Sequence, residues 1–239
     1  GLDINPFLVR TCQMNMVLRG DGSANIYRAD SVKSPGEWDD SSARRSVPYG
    51  KADVVLTNPP FGGDAKIDDA HILDQYELRK WEAGEPRSSL PAEQLFVETA
   101  LKFVKPSGHL AIVLPDGILN NPGLRFIRSW LLRRARLIAS IDLPKTTFKA
   151  GGGVNNASVL VLQKFTHAET MNADKGIIDT AYTVFMAAPN TSGINNRAKP
   201  VYLRHADGRE RLNENGKKIK DDEIEAVPKA FRAWRESSI

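Results

Sequence analysis

Hydrophobic positions along the first 165 residues follow two alternating spacings. Short, nearly continuous apolar runs, such as ADVVLTN and LAIVLP, are typical of strands buried in a parallel sheet. Between them lie longer segments, such as PAEQLFVETALKFV and LRFIRSWLLRRA, in which apolar residues recur every three or four positions. This alternation predicts βαβ units and an α/β fold with a doubly wound, mainly parallel, Rossmann-like sheet.

Local signals predict where several elements begin and end. Asn5 followed by Pro6 predicts a helix start, and Gly20 predicts its end. Residues 62–92 are rich in glycine and charge, so we expect an insertion there, with one helix around residues 73–81.

The pattern loosens after Phe165, so we expect a domain over residues 1–165 and a C-terminal extension over residues 166–239, which could equally dock a partner or stabilise the same chain. Within the extension, AYTVFMAA predicts one more strand and HADGRERLNENGK predicts turns or a small hairpin. DDEIEAVPKAFRAWRE predicts a helix that Pro228 interrupts.

Composition narrows the setting. The chain has no apolar run approaching the roughly 18 residues of a membrane span. Its single cysteine, Cys12, excludes a disulfide framework, so a reducing, cytoplasmic setting is expected. The four histidines lack metal-ligand spacing and predict no metal site. They are His71, His109, His167 and His205.

A net charge of +4 permits a phosphate-bearing partner without requiring one. The stretch NNRAKPVYLRHADGRERLNENGKKIK carries eight Lys or Arg against three Asp or Glu. A solvated surface and a phosphate-binding surface both explain this cluster.

The stretch KADVVLTNPPFGG ends a core strand in an unusual way. Pro59 and Pro60 cannot continue a central strand, so they form a stiff corner. That corner leaves the Asn58 carboxamide and the Pro59 carbonyl as fixed acceptors, beside the flat face of Phe61. Two acceptors and an aromatic platform suit a planar ring that bears an exocyclic amino group. Asn-Pro-Pro also occurs in ordinary loops, so on these residues alone both interpretations stand.

Asn-Pro-Pro-Phe after an apolar strand resembles motif IV of the amino-methyltransferases that use S-adenosylmethionine. Further segments lie in the expected order: GLDINPFLVRTCQMNMVLRG, ADVVLTNPPFGG, GHLAIVLPDGILNNPGLRFIRSWLL and LIASIDLPKTTFKAGGGVNNASVLVLQK. Together they resemble the N6-adenine DNA methyltransferase of type I restriction–modification systems, in its modification subunit. The resemblance runs from Gly1 to about Lys164.

The resemblance implies methyl transfer from S-adenosyl-L-methionine to the N6 amino group of a flipped-out adenine in double-stranded DNA. It also implies a complex with a specificity subunit, which supplies the target sequence, and with a restriction subunit.

The same resemblance implies roles on the cofactor side. Asp3 would bind the ribose hydroxyls, Ile4 would pack on the cofactor's adenine ring, and Asp30 would face its adenine amino group. Each has a plainer alternative: a carboxylate near a helix N-terminus for Asp3, a core residue for Ile4 and a turn aspartate for Asp30.

On the substrate side, the resemblance assigns the target adenine to the corner. Asn58, Pro59, Pro60 and Phe61 would hold the base, with Asn58 also adjoining the cofactor, and Phe148 would form a second wall of the base pocket. Phe148 could equally be a core residue. For Asp116, in LPDGIL, the expected role is to fix the turn.

The resemblance places a glycine-rich cofactor loop upstream of the position matched by Asp3. Gly151 to Gly153 follow a late strand and cannot serve as that loop. We therefore expect a fragment of a longer subunit, with a gap in the sheet beside the motif IV strand. We also expect the fragment alone to bind the cofactor weakly or not at all, and to be inactive.

Two alternatives stay open at this point. Asn-Pro-Pro-aromatic corners also serve methyltransferases that act on RNA bases or on protein glutamine. A non-catalytic DNA-binding or assembly module could also keep this fold.

Overall fold

The computed structural model describes residues 1–22, 25–61, 66–151 and 156–237. The helices of this part of the chain are α1 (Pro6–Leu18), α2 (Ser41–Ser46), α3 (Ala70–Leu73), α4 (Ala92–Phe103), α5 (Asp116–Asn120), α6 (Arg125–Leu132), α7 (His167–Asp174) and α8 (Val227–Ser237). The strands are β1 (Leu2–Asp3), β2 (Tyr27–Arg28), β3 (Ala52–Thr57), β4 (Lys66–Ile67), β5 (Leu90–Pro91), β6 (Val104–Pro115), β7 (Ala135–Leu143), β8 (Ala157–Lys164) and β9 (Phe185–Ala187).

Five strands form the central sheet in the order β3-β6-β8-β7-β9. The pairs β3–β6 and β7–β9 are parallel, whereas β8 is antiparallel to both of its neighbours. Four strands therefore run in one direction and β8 alone runs in the other. Helices α5 and α6 carry the chain from β6 back to the start of β7, as a parallel crossover requires. The predicted α/β fold with a mainly parallel sheet is confirmed.

The main core lies between the sheet and helix α4. Alternate residues of β6, Leu110, Ile112 and Leu114, are almost fully buried, as expected for the face of a strand that packs on a helix. Helix α4 is buried on most of its surface, including Leu95 and Val97, both 0% exposed. The sheet and this helix form the rigid frame that carries the loops at the ends of the strands.

Strands β1 and β2 form a separate parallel ribbon beside the sheet. The ribbon and the sheet share a small second core around Trp38 and Phe103, against which Leu2 and Val55 pack. A cavity of about 280 Å³ lies between the ribbon and β3, where the sequence leads us to expect a gap. Along this opening the side chain of Leu56 is 77% exposed.

Helix α1 joins the two strands of the ribbon and begins where predicted. The Asn5 side chain accepts hydrogen bonds from the backbone N–H groups of Phe7 and Leu8, which caps the helix. Its apolar side chains are mostly exposed, however: Val9 is buried, whereas Phe7 is 71% exposed.

The helix predicted around residues 73–81 is wrong. Helix α3 ends at Leu73, and a short 3-10 turn at Glu77–Arg79 follows. The cause is Glu98 of α4, whose two carboxylate oxygens accept the backbone N–H groups of Glu77 and Leu78 at 2.9 and 3.0 Å. This segment therefore turns around a buried carboxylate, and its status as an insertion stays a prediction. Residues 62–65 lie outside the described residues.

The C-terminal part contributes to the sheet as well as extending from it. The predicted strand in AYTVFMAA is confirmed as β9, which pairs with β7. The predicted interruption at Pro228 is wrong, because α8 begins at Val227. Pro228 therefore lies in the first turn, where proline's missing N–H leaves no helical hydrogen bond unmade. Phe231 packs edge-on against Phe185 of β9, with ring centroids 5.3 Å apart.

The division between residues 1–165 and 166–239 stays a prediction. Within the described ranges, no helix has the length and apolar character needed to cross a membrane.

Candidate functional site

The Asn-Pro-Pro-Phe corner directly follows β3, at the carboxyl end of the parallel strands. In open α/β sheets, ligands bind outside this end of the strands. Pro59 is buried, whereas Asn58 and Pro60 are exposed. The buried proline seats the corner against the protein, and the Asn58 carboxamide stays accessible to a ligand.

Phe61 and Phe148 meet at the carboxyl end of the strands, although 86 residues lie between them in the sequence. Their ring centroids lie 6.0 Å apart with an interplanar angle of 87°, an edge-to-face contact. Both rings are half-buried, so each keeps surface that a ligand could cover. The structure thus brings together the two aromatic residues proposed for the base pocket, although their role in base binding stays a prediction.

On the ribbon, the residues expected to bind the cofactor follow the strand ends. The Asp3 carboxylate accepts the backbone N–H of Asn5 at 2.7 Å, and the Asp30 carboxylate accepts that of Val32 at 3.1 Å. These bonds match the plainer roles of both residues, yet a carboxylate can accept several hydrogen bonds at once. Ile4 is 60% exposed, which excludes the alternative that it is a core residue.

The cavity between the ribbon and β3 lies beside these residues, but Asp3, Ile4 and Asp30 are not among the residues that line it. Its lining is mostly apolar and includes Leu2, Val54 and Leu56, with the hydroxyl groups of Ser31 and Thr57 among them. The residues that fit an adenosine-bearing cofactor lie at the strand ends of the ribbon instead. The carboxylates of Asp3 and Asp30 suit the hydroxyls of a ribose and an adenine amino group as hydrogen-bond acceptors, and the exposed apolar side chain of Ile4 suits the face of a purine ring.

Asp116 holds a turn, as expected. Its backbone N–H donates to the carbonyl of Asn156 at 3.1 Å, and its carboxylate accepts the Ser158 hydroxyl at 3.4 Å. These bonds tie the end of β6 to the start of β8.

The glycine stretch lies only partly within the described residues, because residues 152–155 fall outside them. Among the residues that are described, no three His, Cys, Asp or Glu side chains are placed to hold a metal ion.

Sequence reasoning missed two features beside the site. Ser31 lines the cavity, and the Thr146 hydroxyl lies 2.6 Å from that of Ser192, so the loop that carries Phe148 is tied to the C-terminal part. No local pattern marks a serine or threonine in a loop as a contact between distant segments. Only the path of β9 along β7 brings these residues together.

Known proteins resemble this chain in sequence and in fold. The N-6 DNA methylase family matches residues 1–238. The methylase subunit of the type I restriction enzyme EcoKI from Escherichia coli K12 is 28% identical over 188 residues, which cover 76% of this chain and 31% of that protein. The EcoEI methylase subunit from Escherichia coli is 27% identical over 146 residues, which cover 60% of this chain and 26% of that protein. The chain thus spans about a quarter to a third of these relatives.

Solved structures show the same fold. The crystal structure of the EcoKI M protein superimposes with a TM-score of 0.56 at 26% identity, covering 83% of this chain and 37% of that chain. A type I methyltransferase subunit from Streptococcus thermophilus gives a TM-score of 0.59 at 20% identity, covering 98% of this chain and 42% of that chain. With a strand-end Asn-Pro-Pro-Phe corner, a methyltransferase sheet and a match over nearly its whole length, the chain belongs to the N-6 DNA methylase family.

Proposed function

We propose that this chain is catalytic machinery of an adenine-specific DNA methyltransferase, which transfers a methyl group to the N6 amino group of a flipped-out adenine. The observation that carries the proposal is the corner after β3, where the exposed Asn58 lies three residues before Phe61, whose ring contacts that of Phe148. Membership of the N-6 DNA methylase family supports the same reaction.

The corner acts on the amino group of the target base. The Asn58 carboxamide oxygen and the Pro59 carbonyl accept its two hydrogens, and the prolines hold both acceptors in place. Hydrogen bonds to both hydrogens favour a pyramidal nitrogen whose lone pair is free to attack an electrophile. Positioning of this kind accelerates a reaction without a general base, because the reactants no longer have to find the correct geometry by diffusion.

The aromatic residues recover part of the cost of extruding the base. Flipping a base out of duplex DNA costs a few kcal/mol, because stacking and pairing are lost. The face of Phe61 replaces a stacking partner, and Phe148, perpendicular to it, closes one side of the pocket.

The ribbon would hold the methyl donor, S-adenosyl-L-methionine. Asp3 would accept hydrogen bonds from its ribose, Ile4 would pack on its adenine, and Asp30 would accept from the adenine amino group. When bound, the cofactor supplies a methyl group on a sulfonium that needs no further activation.

The type I relatives suggest where the chain works. We expect it to act in the cytoplasm within a larger modification subunit, together with a specificity subunit that selects the DNA target and a restriction subunit. The alternatives from the sequence, transfer to RNA or to protein glutamine, or a role in assembly without catalysis, predict different products.

The experiment is to supply the intact subunit, assembled with its specificity subunit, with cofactor labelled in the methyl group. Duplex DNA, RNA and protein are offered separately, and the modified nucleosides or amino acids are identified by mass spectrometry. The proposal predicts N6-methyladenine in DNA. Label in RNA or in glutamine, or no transfer to any of the three, would contradict it.

A further inference from the structure

Residues 190–223, here named the hairpin module, repeat one turn three times. The turns span residues 195–199, 205–209 and 213–217, and in each the first N–H donates to the carbonyl of the fifth residue at 2.8 to 2.9 Å. The fourth residue of each turn has a positive φ: Ala198 at 56°, Gly208 at 85° and Gly216 at 71°. Three equivalent tight turns therefore project from one small unit.

Two closed rings of backbone hydrogen bonds hold the turns together. In each ring, three residues from three segments donate in a circle, every N–H to the next carbonyl, at 2.8 to 3.0 Å. In the inner ring, Gly193 donates to Asp221, Asp221 to Val201, and Val201 to Gly193. In the outer ring, Leu203 donates to Ile219, Ile219 to Arg211, and Arg211 to Leu203. Because this framework is made of backbone bonds, it leaves most of the charged side chains free to face solvent.

Acidic and basic side chains of the hairpin module are used differently. Near the junction with the sheet, the Asp221 carboxylate accepts the Thr191 hydroxyl and the Glu223 carboxylate accepts the Asn190 N–H. Farther out, Asp207 pairs with Arg209, while Glu210 pairs with Arg204 and Lys218. Most acidic groups of the module therefore form hydrogen bonds or ion pairs with other residues of the module.

The remaining cations have no such partner. Five exposed basic side chains of the module form no ion pair with any described residue. They are Arg197, Lys199, Arg211, Lys217 and Lys220. Glu210 and Asp221 adjoin Arg211 and Lys220 in sequence and Glu214 is exposed, but none of these carboxylates forms an ion pair with the five cations in the described part of the chain. A rigid scaffold with a surplus of unpaired cations is suited to an anionic polymer.

The hairpin module lies beside the candidate base pocket. Strand β9 runs parallel to β7, with Ala187 opposite Ile141. Both strands therefore end on the side of the sheet where β3 ends and the corner begins. The module begins three residues after β9 ends. The Ser192 hydroxyl lies 2.6 Å from that of Thr146, two residues before Phe148. A duplex whose adenine enters the pocket would therefore pass close to the module.

We infer that the hairpin module binds the sugar–phosphate backbone of duplex DNA next to the flipped base. The inference rests on the proposed function for its ligand. Lys and Arg contacts to phosphate position DNA without reading its sequence, so the module fixes the duplex while the corner holds the base.

The test compares two triple variants of the intact subunit in its complex. In the first, Arg197→Ala, Lys199→Ala and Lys217→Ala remove cations whose side chains form no hydrogen bond or ion pair with any described residue. In the control, Lys51→Ala, Lys80→Ala and Lys175→Ala remove three exposed cations that lie outside the module. Lys51 precedes the start of β3, and Lys175 follows α7, beyond the end of the reversed strand β8. Both triple variants lose the same formal charge.

Binding of fluorescently labelled duplex DNA is measured by anisotropy over a range of salt concentrations. Each lost phosphate contact lowers the slope of log K against log salt by about 0.9, so the module variant should lose about 2 to 3 units of slope. The control should keep the parent slope. Equal slopes for the module variant and the parent, or equal losses in both triple variants, would overturn the inference.

Product analysis separates this inference from the proposed function. If the parent complex makes N6-methyladenine but the module variant keeps its slope, only the inference about the hairpin module fails. If the module variant loses slope but the parent methylates nothing, the surface assignment stands and the proposed reaction fails.

Discussion

Helix α4 and the hairpin module are stabilised in contrasting ways. Eight of the twelve residues of α4 are buried, including the carboxylate of Glu98, so apolar packing and one buried ionic network hold it. The hairpin module is mostly exposed and is held by turn geometry and rings of backbone hydrogen bonds. The frame that carries the candidate site therefore depends on burial, whereas the surface beside it can change its charges without disturbing that frame.

The largest predicted change in the free energy of unfolding is expected in the buried helix α4. Glu98 is 1% exposed, accepts the N–H groups of Glu77 and Leu78, and pairs with Lys102 at 2.9 Å. We expect Glu98→Ala to lower the free energy of unfolding by about 3–5 kcal/mol, because it leaves buried donors and a partly buried cation unpaired. Urea denaturation measures the change. A loss below about 1 kcal/mol would show that this network does not hold the insertion.

A smaller effect, confined to the hairpin module, is expected at Gly193. This residue has a φ of +71°, and an added Cβ would lie 3.2 Å from the Asp222 carboxylate. Gly193→Ala should lower the free energy of local unfolding of the module by about 1–2 kcal/mol, because the left-handed conformation disfavours a side chain. Hydrogen exchange should quicken at Val201 and Asp221, which belong to the same ring, and stay slow in β6.

Gly176→Ala is the matched control for Gly193→Ala. Gly176 also has a positive φ, +81°, but among the described residues no atom beyond its chain neighbours lies within 4 Å of the added Cβ, so its effect should be smaller and should not reach the module. Faster exchange throughout the central sheet of the Gly193 variant would contradict the separation of module and frame.

The smallest predicted effect depends on pH. Hydrogen bonds from Gln75, Ser34 and His71 lower the pKa of Glu37 from 4.5 to about 2. A carboxylate with a lowered folded-state pKa stabilises the fold above its unfolded-state pKa, and loses that effect as pH falls through the folded-state value. Because the side chain is 29% exposed, we expect Glu37→Gln to cost less than about 1 kcal/mol near neutral pH.

The difference between Glu37→Gln and the parent should shrink as the pH falls from about 4.5 towards about 2. Thermal unfolding of both proteins across this range measures it. A difference that stays constant with pH would show that charge on Glu37 does not tie the segment before α2 to α3.

Local chemistry decided which features the sequence could predict. Two successive prolines end a strand wherever they occur, so the corner at Pro59 and Pro60 was readable from the sequence, as was the Asn5 cap of α1. The near-continuous apolar run of β6 likewise predicted a strand buried in the sheet.

The failures have non-local causes. The region around residues 73–81 turns because Glu98, about 20 residues away, accepts two of its backbone N–H groups. Turn residues in the tail predicted hairpins, but the rings that join the hairpins pair segments up to 28 residues apart, such as Gly193 and Asp221. No periodicity within one segment encodes such a pairing.

The central claim is that the Asn58 amide holds the amino group of the target adenine. Its most direct test is methyl transfer to duplex DNA by the intact subunit in its complex, comparing Asn58→Ala with Asn172→Ala, a change at an exposed asparagine of α7. The account predicts that Asn58→Ala lowers the methylation rate by about 100-fold or more while DNA binding is kept, and that Asn172→Ala changes neither. Methylation by the Asn58 variant at the parent rate would contradict it.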